Sequence, residues 1–460
     1  MTTMISNLPR DLIEEILSRV PLKSMRTLRL TCKKWGTILR SESFTKLHIS
    51  KATTREGEST MITLINNQLY LTSVVVRNDV DPYTEPRGKL MSERQVKISQ
   101  VFYCEGLLLC ILNETTVTRF VVWNPYLGQT RWIKPRYSHR KDMFGKDRFH
   151  YSLGYVSKKS CRSHKFLRFI DYHRYQYVHQ FFWYEIYDFD SDLWTTLDVT
   201  PHWFIPYKNS GISLKGNTYW AAEKRENDYS KYLICFDFTR ERFGPLLPLP
   251  FSVRDHAYMI LSCVKEEKLA ALIQRHETHV HEFEIWITTK LEDEMVSWSM
   301  FLRINTWAIR HESFVIDEEK KITMGSNKNL RTINIIGEAG YFRELDLGEH
   351  VENNCLSHVC SYVPSSVQIK ELAQGNRKKR QRLGFQDGEM RGTEGVQRGQ
   401  RQVYEYRDQT IRSPNNPTSR NVIENRDSNG KMINRYDMVW VSVPYGGQLL
   451  VKNYSEWAST

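Results

Sequence analysis

Long apolar runs are what this 460-residue sequence most plainly lacks. Its longest, such as Gly106–Leu112 and Phe120–Trp123, fall far short of the roughly 20 residues that a membrane-spanning helix requires. That excludes a helical membrane protein, and no membrane partner is expected. The opening Met-Thr-Thr-Met-Ile-Ser-Asn-Leu-Pro-Arg carries no basic-then-apolar signal segment, so secretion is not expected. Cysteine is scarce: eight residues with no Cys-x-x-Cys pair do not make a disulfide scaffold. A reducing compartment, nucleus or cytoplasm, fits that count.

Enzymatic fingerprints are equally thin. No P-loop, GxGxxG turn, GxSxG elbow or HExxH helix stands where its mechanism needs it. His279 and His281, with His276 just before them, would share one face of a strand. The further ligands nearby, Glu277 and Glu282, read as surface residues. Cys355, His358 and Cys360 would need zinc ligands from elsewhere, and buried cysteine acting as a small apolar residue is the plainer reading. The chain is therefore expected to be non-catalytic, with no cofactor and no metal.

Basic charge is plentiful but unevenly placed. The formal charge is +12, from 65 Lys and Arg against 53 Asp and Glu. Residues 1–50 hold nine basic and four acidic residues, and residues 371–460 hold fifteen and ten. The 320 residues between are nearly neutral. A nucleic-acid-binding body would need a basic stripe on its folded core, so no direct nucleic-acid partner is expected.

Residues 7–40 read as a small helical unit. Pro9 suits the first turn of a helix. Leu12, Ile13, Ile16, Leu17 and Val20 follow at helical spacing, and Pro21 stops the run. Met25, Leu28, Cys32 and Trp35 form a second stripe. So few residues bury little surface alone, and such a unit needs a partner. The stretch Asn7-Leu8-Pro9-Arg10-Asp11-Leu12-Ile13-Glu14-Glu15-Ile16-Leu17-Ser18-Arg19-Val20-Pro21, with Arg29-Leu30-Thr31-Cys32-Lys33-Lys34-Trp35, resembles an F-box along its full length. The resemblance implies docking on the Skp-type adaptor of a cullin–RING ubiquitin ligase. It implies that Leu8, Pro9, Ile13, Ile16, Leu17, Val20, Pro21, Leu28 and Cys32 face the adaptor or support the face that does. Arg26, Arg29, Lys33 and Lys34 would favour an acidic partner.

Residues 41–60 read as a connector, polar and aperiodic from Ser50 to Ser59. From about 61 to 368 the texture changes to strand-length apolar runs. Among them are Val74–Val76, Leu107–Ile111, Val121–Trp123 and Leu233–Phe236. A loose repeat of strand, acidic or amide turn, then aromatic recurs at Trp123-Asn124 with Trp132, Tyr187-Asp188 with Trp194, and Phe236-Asp237 with Phe243. Trp286 with Trp298 continues it, and a charged insertion at Arg136–His150 stretches the first interval. A period near 50 points to kelch-like propeller blades, about six of them. A propeller closes on itself, so residues 61–76 are expected to pair with residues near 360–368. The aromatics are expected to pack blade on blade.

Gln100-Val101-Phe102-Tyr103-Cys104-Glu105-Gly106-Leu107-Leu108-Leu109-Cys110 is one signature of this body. Val122-Trp123-Asn124-Pro125-Tyr126-Leu127-Gly128-Gln129-Thr130-Arg131-Trp132-Ile133 is a second. With Ser213–Trp220 and Cys235–Phe243 they resemble the type-one F-box-associated interaction domain of the plant F-box family. The expected fold is thus mainly β with a small N-terminal helical domain. The expected order is an F-box (1–45), a linker (46–60), a propeller-like domain (61–368) and a basic, largely disordered tail (369–460).

The resemblance implies a substrate receptor of an SCF-type ligase, reaching cullin and a RING subunit through the adaptor and holding an unidentified protein target. An adaptor-binding scaffold outside ubiquitin ligation, or a propeller that binds a small molecule or glycan, are the alternatives. In the tail, Arg377, Lys378, Lys379, Arg380 and Arg382 form a basic run that fits a nuclear import signal as well as a solvated linker. Met438–Val443 reads as a single strand.

Overall fold

Two devices recur from residue 58 onward and dictate the architecture: strand-length apolar runs, and turns closed by an acidic or amide side chain. Asn124 Oδ1 accepts the Leu127 amide at 2.9 Å. Asp188 Oδ1 accepts the Asp190 and Ser191 amides at 2.7 and 2.9 Å, and Asp237 Oδ1 those of Thr239 and Arg240 at 2.7 and 3.0 Å. Each turn then contains a left-handed residue: Gly128 (φ 69°), Asp192 (φ 61°) or Glu241 (φ 52°).

The computed structural model describes residues 8–20, 25, 28, 31–39, 41–53, 58–77, 80–89, 97–113, 118–136, 149–158, 162–172, 181–206, 209–225, 230–250, 258–277, 280–306, 311–327, 332–346, 358–369, 420–426, 432–443 and 447–452. Among the described residues, three helices come first: α1 (Arg10–Ser18), α2 (Lys33–Ile38) and α3 (Glu42–Thr53). The third corrects the expected connector. Ser41 caps α3, its hydroxyl accepting the Phe44 amide at 3.3 Å. The helix buries Phe44, Thr45 and His48 on one side. Only one of these three is a hydrocarbon side chain, so the helical period is faint in the sequence.

The strands form six four-stranded blades, the fourth with two short additions. Blade 1 contains β1 (Glu58–Ile65), β2 (Gln68–Arg77) and β3 (Val80–Lys89). Blade 2 is β4 (Ile98–Cys104), β5 (Leu107–Asn113), β6 (Thr118–Asn124) and β7 (Gln129–Ile133). Blade 3 is β8 (His150–Ser157), β9 (Arg162–Tyr172), β10 (Phe181–Asp188) and β11 (Leu193–Leu197). In blade 4, β12 (Trp203–Phe204) and β13 (Ile212–Leu214) pair with β14 (Asn217–Lys224). Its β15 (Lys231–Asp237) carries β16 (Arg242–Phe243) and β17 (Leu247–Pro248). Blade 5 is β18 (Tyr258–Val264), β19 (Lys268–Glu277), β20 (Val280–Leu291) and β21 (Val296–Thr306). Blade 6 is β22 (His311–Asp317), β23 (Ile322–Asn327), β24 (Thr332–Gly337) and β25 (Phe342–Asp346).

The last propeller strand, β26 (His358–Ser361), does not extend blade 6. It pairs antiparallel with β1, matching Met61 to Ser361, Ile62 to Cys360, Thr63 to Val359 and Leu64 to His358. This closes the ring as the sequence suggested. Six apolar clusters fill the six blade-to-blade interfaces. Between blades 6 and 1, for example, Met61, Val74 and Val359 pack on Val315, Met324, Ile333 and Ile335. The recurrent aromatics lie in these layers: Trp123 between blades 1 and 2, Tyr187 and Trp194 between 2 and 3, Phe236 and Phe243 between 3 and 4. Trp286 and Trp298 pack between blades 4 and 5. Trp132 is the departure, standing 49% exposed on the outer strand of blade 2.

Beyond β26 the chain continues as a strap, residues 362–369. Tyr362 enters the layer between blades 1 and 2, and Ile369 the layer between blades 2 and 3. Gly106 (φ 84°) turns beneath it so closely that a Cβ there would lie 2.1 Å from Ser365 Cβ. Farther on, β27 (Arg420–Arg426), β28 (Met432–Val443) and β29 (Gly447–Lys452) form an antiparallel sheet of their own. The expected strand at Met438–Val443 lies inside β28.

Burial sets the acid response of this body. It pushes the imidazoles of His150 and His358 down to about 4. Unfolding restores the ordinary value near 6.5. The unfolded chain therefore binds more protons between pH 6.5 and 4, and stability that is complete above pH 6.5 is lost as pH falls through that window. Asp171, pushed up to about 6 by burial, works in the opposite sense over an overlapping range. Replacing His358→Asn should flatten the stability profile between pH 6.5 and 4 by one proton, about 1.4 kcal/mol per pH unit. Urea denaturation at a series of pH values reads this slope; an unchanged slope would show that His358 does not titrate in this way.

Candidate functional site

Helix α1 is built to face two ways. Its chain enters through Pro9, whose carbonyl accepts the Ile13 amide at 3.1 Å. It leaves through Arg19 and Val20, whose amides bond the carbonyls of Ile16 and Leu17 at 3.2 and 3.1 Å. Ile13 and Leu17 turn inward and form a core with Met25, Ile38, Leu39 and Phe44. Leu8, Val20, Leu28 and Trp35 pack half-buried around it. Leu12 and Ile16, one turn apart on the other side, stand 51% and 47% exposed. Covering what remains open on these two would contribute roughly 1 kcal/mol each at about 25 cal/mol per Å2.

The expected docking residues are thereby sorted. Ile16 and Pro9 are exposed, while Ile13 and Leu17 are core. Leu8, Val20 and Leu28 lie between the two classes. Cys32 has a structural part, capping α2 with its sulfur accepting the Trp35 amide at 3.4 Å. Pro21 lies outside the described residues. Leu12 belongs with Ile16 although the expected docking set omitted it. Its signal was the i,i+4 spacing within the apolar stripe.

Charge frames the exposed pair. Arg10 and Glu14 are joined at 2.8 Å on one flank, Arg19 and Glu15 at 2.8 Å on the other. Glu15 also binds Lys51 of α3, and that hydrogen bond, followed by the one from Arg19, holds its carboxyl below the usual range. Lys51 Nζ further donates to Ser18 Oγ at 3.0 Å. These contacts pin α3 against α1 without drawing on Leu12 or Ile16.

Among the described residues, the remaining candidates do not assemble a chemical site. Among the described residues no group of three or more His, Cys, Asp or Glu could hold a metal. Of the two weighed clusters, His279, Cys355 and the side chains of His276 and His281 lie outside the described residues, as do Arg377, Lys378, Lys379, Arg380 and Arg382. His358 and Cys360 instead line the central channel of the propeller with Tyr103, Ser262 and Glu266. That cavity, about 70 Å3, has room for a handful of waters. Ligand pockets of drug-sized molecules run to roughly 300 Å3 and more. Tyr103 hydrogen-bonds Glu266 across its wall, and burial raises the carboxyl of Glu266 above its ordinary range.

Comparison with known proteins matches two family models: an F-box domain over residues 5–47 and an F-box associated beta propeller domain over residues 60–369. An F-box/kelch-repeat protein of Arabidopsis thaliana is 67% identical over 396 residues, covering 83% of this chain and 94% of that relative. An F-box protein of the same plant is 57% identical over 406 residues, covering 83% and 95%. Among solved structures, TolB from Acinetobacter baumannii superposes with a TM-score of 0.38 at 10% identity, over 69% of this chain and 72% of its own, too loosely to carry an argument.

The two faces of α1 respond differently to substitution. Ile13→Ala should destabilise the helical unit by about 2–5 kcal/mol, the range for a buried large-to-small change. Leu12→Asp with Ile16→Asp should leave stability within about 1 kcal/mol of wild type. Urea denaturation followed by helix circular dichroism checks both, and equal losses would contradict the division.

Proposed function

This chain belongs to the F-box proteins that carry an F-box associated β-propeller domain, and we propose that it is the substrate-recognition subunit of an SCF-type cullin–RING ubiquitin ligase. The observation that carries the reading is the exposed Leu12–Ile16 pair on an otherwise packed F-box. An apolar helix face of this size, with Pro9 and Leu8 at its leading edge, suits a helix-in-groove contact with a Skp-type adaptor. Cullin and the RING subunit are then reached through the adaptor. Exposed Lys33 and Lys34 favour an acidic partner.

The propeller is the part suited to hold the target. Antiparallel blades place the tight turns 105–106, 125–128 and 238–241 at one end, the end where Tyr126 meets the F-box helix α3. Strands β3, β9 and β25 end at the other side of the ring, and the segments that join the elements of a rigid scaffold commonly carry recognition. A protein target gripped there would be held away from the adaptor-binding face. The chain needs no nucleophile of its own in this role. It acts by proximity, raising the effective concentration of target lysines near the charged ubiquitin.

A pull-down with a purified Skp-type adaptor tests the reading. The wild-type chain should bind. Leu12→Asp with Ile16→Asp, and Leu8→Ala with Pro9→Ala, should each lose about 2–4 kcal/mol of affinity, roughly thirtyfold to a thousandfold. A folded wild-type chain that fails to bind the adaptor sinks the proposal.

A further inference from the structure

The second sequence signature of the propeller holds the F-box and the ring closure on one turn. Helix α3 reaches back to α1 through His48, whose Nε2–H donates to the Val20 carbonyl at 2.8 Å. The same imidazole stacks on Phe44 at 5.8 Å and meets the ring of Tyr126 at 5.6 Å. Tyr126 is buried at the tip of the turn from Asn124 to Gly128, between β6 and β7. Tyr126 of blade 2 thus meets the F-box helix directly.

That turn is itself shaped by the other end of the domain. Asn124 is fully buried, and its Oδ1 accepts the Leu127 amide while the Gly128 amide bonds its carbonyl at 2.8 Å. Its Nδ2 donates to the strap, to the carbonyls of Ser365 at 3.0 Å and Val367 at 2.7 Å. Gln129, just after the turn, accepts the Ile369 amide at 2.9 Å. The strap is the direct continuation of β26, the strand that closes the ring on β1. With the strap in place, the buried amide of Asn124 has partners on both its oxygen and its nitrogen. Without it, the Asn124 donors are left without acceptors inside the domain, and the side chain that closes the turn loses the contacts that hold it there.

We propose that closure of the propeller sets the seat of the F-box, with Asn124 as the joint: strap bound, turn ordered, Tyr126 fixed under His48. An open ring would carry an F-box that docks but holds the propeller in no defined direction. This consequence for presenting a target rests on the adaptor reading above; the coupling itself does not.

Hydrogen exchange measured by mass spectrometry on the full chain tests it. Asn124→Ala should speed exchange of the α3 amides by about tenfold, although the bonds of Asn124 run to the strap and to its own turn. Strands β19 and β20 of blade 5 should keep wild-type protection. Tyr126→Ala should free α3 to the same degree while leaving residues 362–369 protected. Faster exchange in the strap with α3 unchanged in Asn124→Ala would overturn the coupling. If Asn124→Ala loses protection throughout, Gln129→Ala, which removes one strap bond, replaces it under the same two outcomes with a rise of about threefold. Adaptor pull-down by the same wild-type sample is read separately, so failure to bind would sink the ligase reading and leave the exchange result standing.

Discussion

Four residue pairings between β1 and β26 hold the propeller shut. A stack of twisted sheets with two free ends would leave an apolar face open at each. Closing the ring converts those two faces into a sixth interface, where Met61 and Val74 meet Val315 and Met324. The ladder is short, so side chains reinforce it. Ser313 accepts the Val359 amide at 2.8 Å, and Tyr103 is bonded to both Glu266 and the backbone of Val363. The closing strand is thereby held from blade 6 as well as from β1, and the strap that follows it from Tyr103 of blade 2, which is itself bonded to Glu266 of blade 5.

Two buried arginines inside the blades are paired with carboxylates. Arg168 and Glu185, both almost wholly buried, form an ion pair, and the guanidinium lies within 5.5 Å of the rings of Phe120, Phe149 and Trp194. Arg131 donates to the Phe189 carbonyl and to Asp192, tying blade 2 to the turn of blade 3. Buried ions of this kind add little net stability over well-packed hydrocarbon, but removing one partner is costly. The Arg131 contacts cross from blade 2 to blade 3, whereas the Arg168–Glu185 pair lies between β9 and β10 of blade 3.

Much of this was legible from residue order. The F-box pattern located the N-terminal helical unit, and the spacing of Trp123, Tyr187, Phe236 and Trp286 located the blades. The Asn and Asp residues beside three of these aromatics announced turns, and they close them. What stayed hidden depended on tertiary packing. Leu12, Ile13, Ile16 and Leu17 are alike as sequence. Only the position of Met25, Ile38 and Phe44 decides which pair is core and which is left for a partner. Helix α3 was masked because its buried side includes a threonine and a histidine, whose partners are Val20 and Tyr126. The importance of Asn124 was likewise invisible, since its acceptors lie some 240 residues away.

The long separation between β1 and β26 also orders events in time. During synthesis one edge of β1 stays without its neighbour until roughly 300 further residues have left the ribosome. At about 5–20 residues per second that wait is on the order of 15–60 s. The F-box precedes the propeller in the chain, so it can fold before the ring is able to close. Non-local closure of this kind is slow and leaves a strand edge open to foreign pairing in the interval. The nascent chain therefore has a period in which it resembles an aggregation-prone intermediate, and chaperones that mask strand edges would govern how much of it reaches the closed ring.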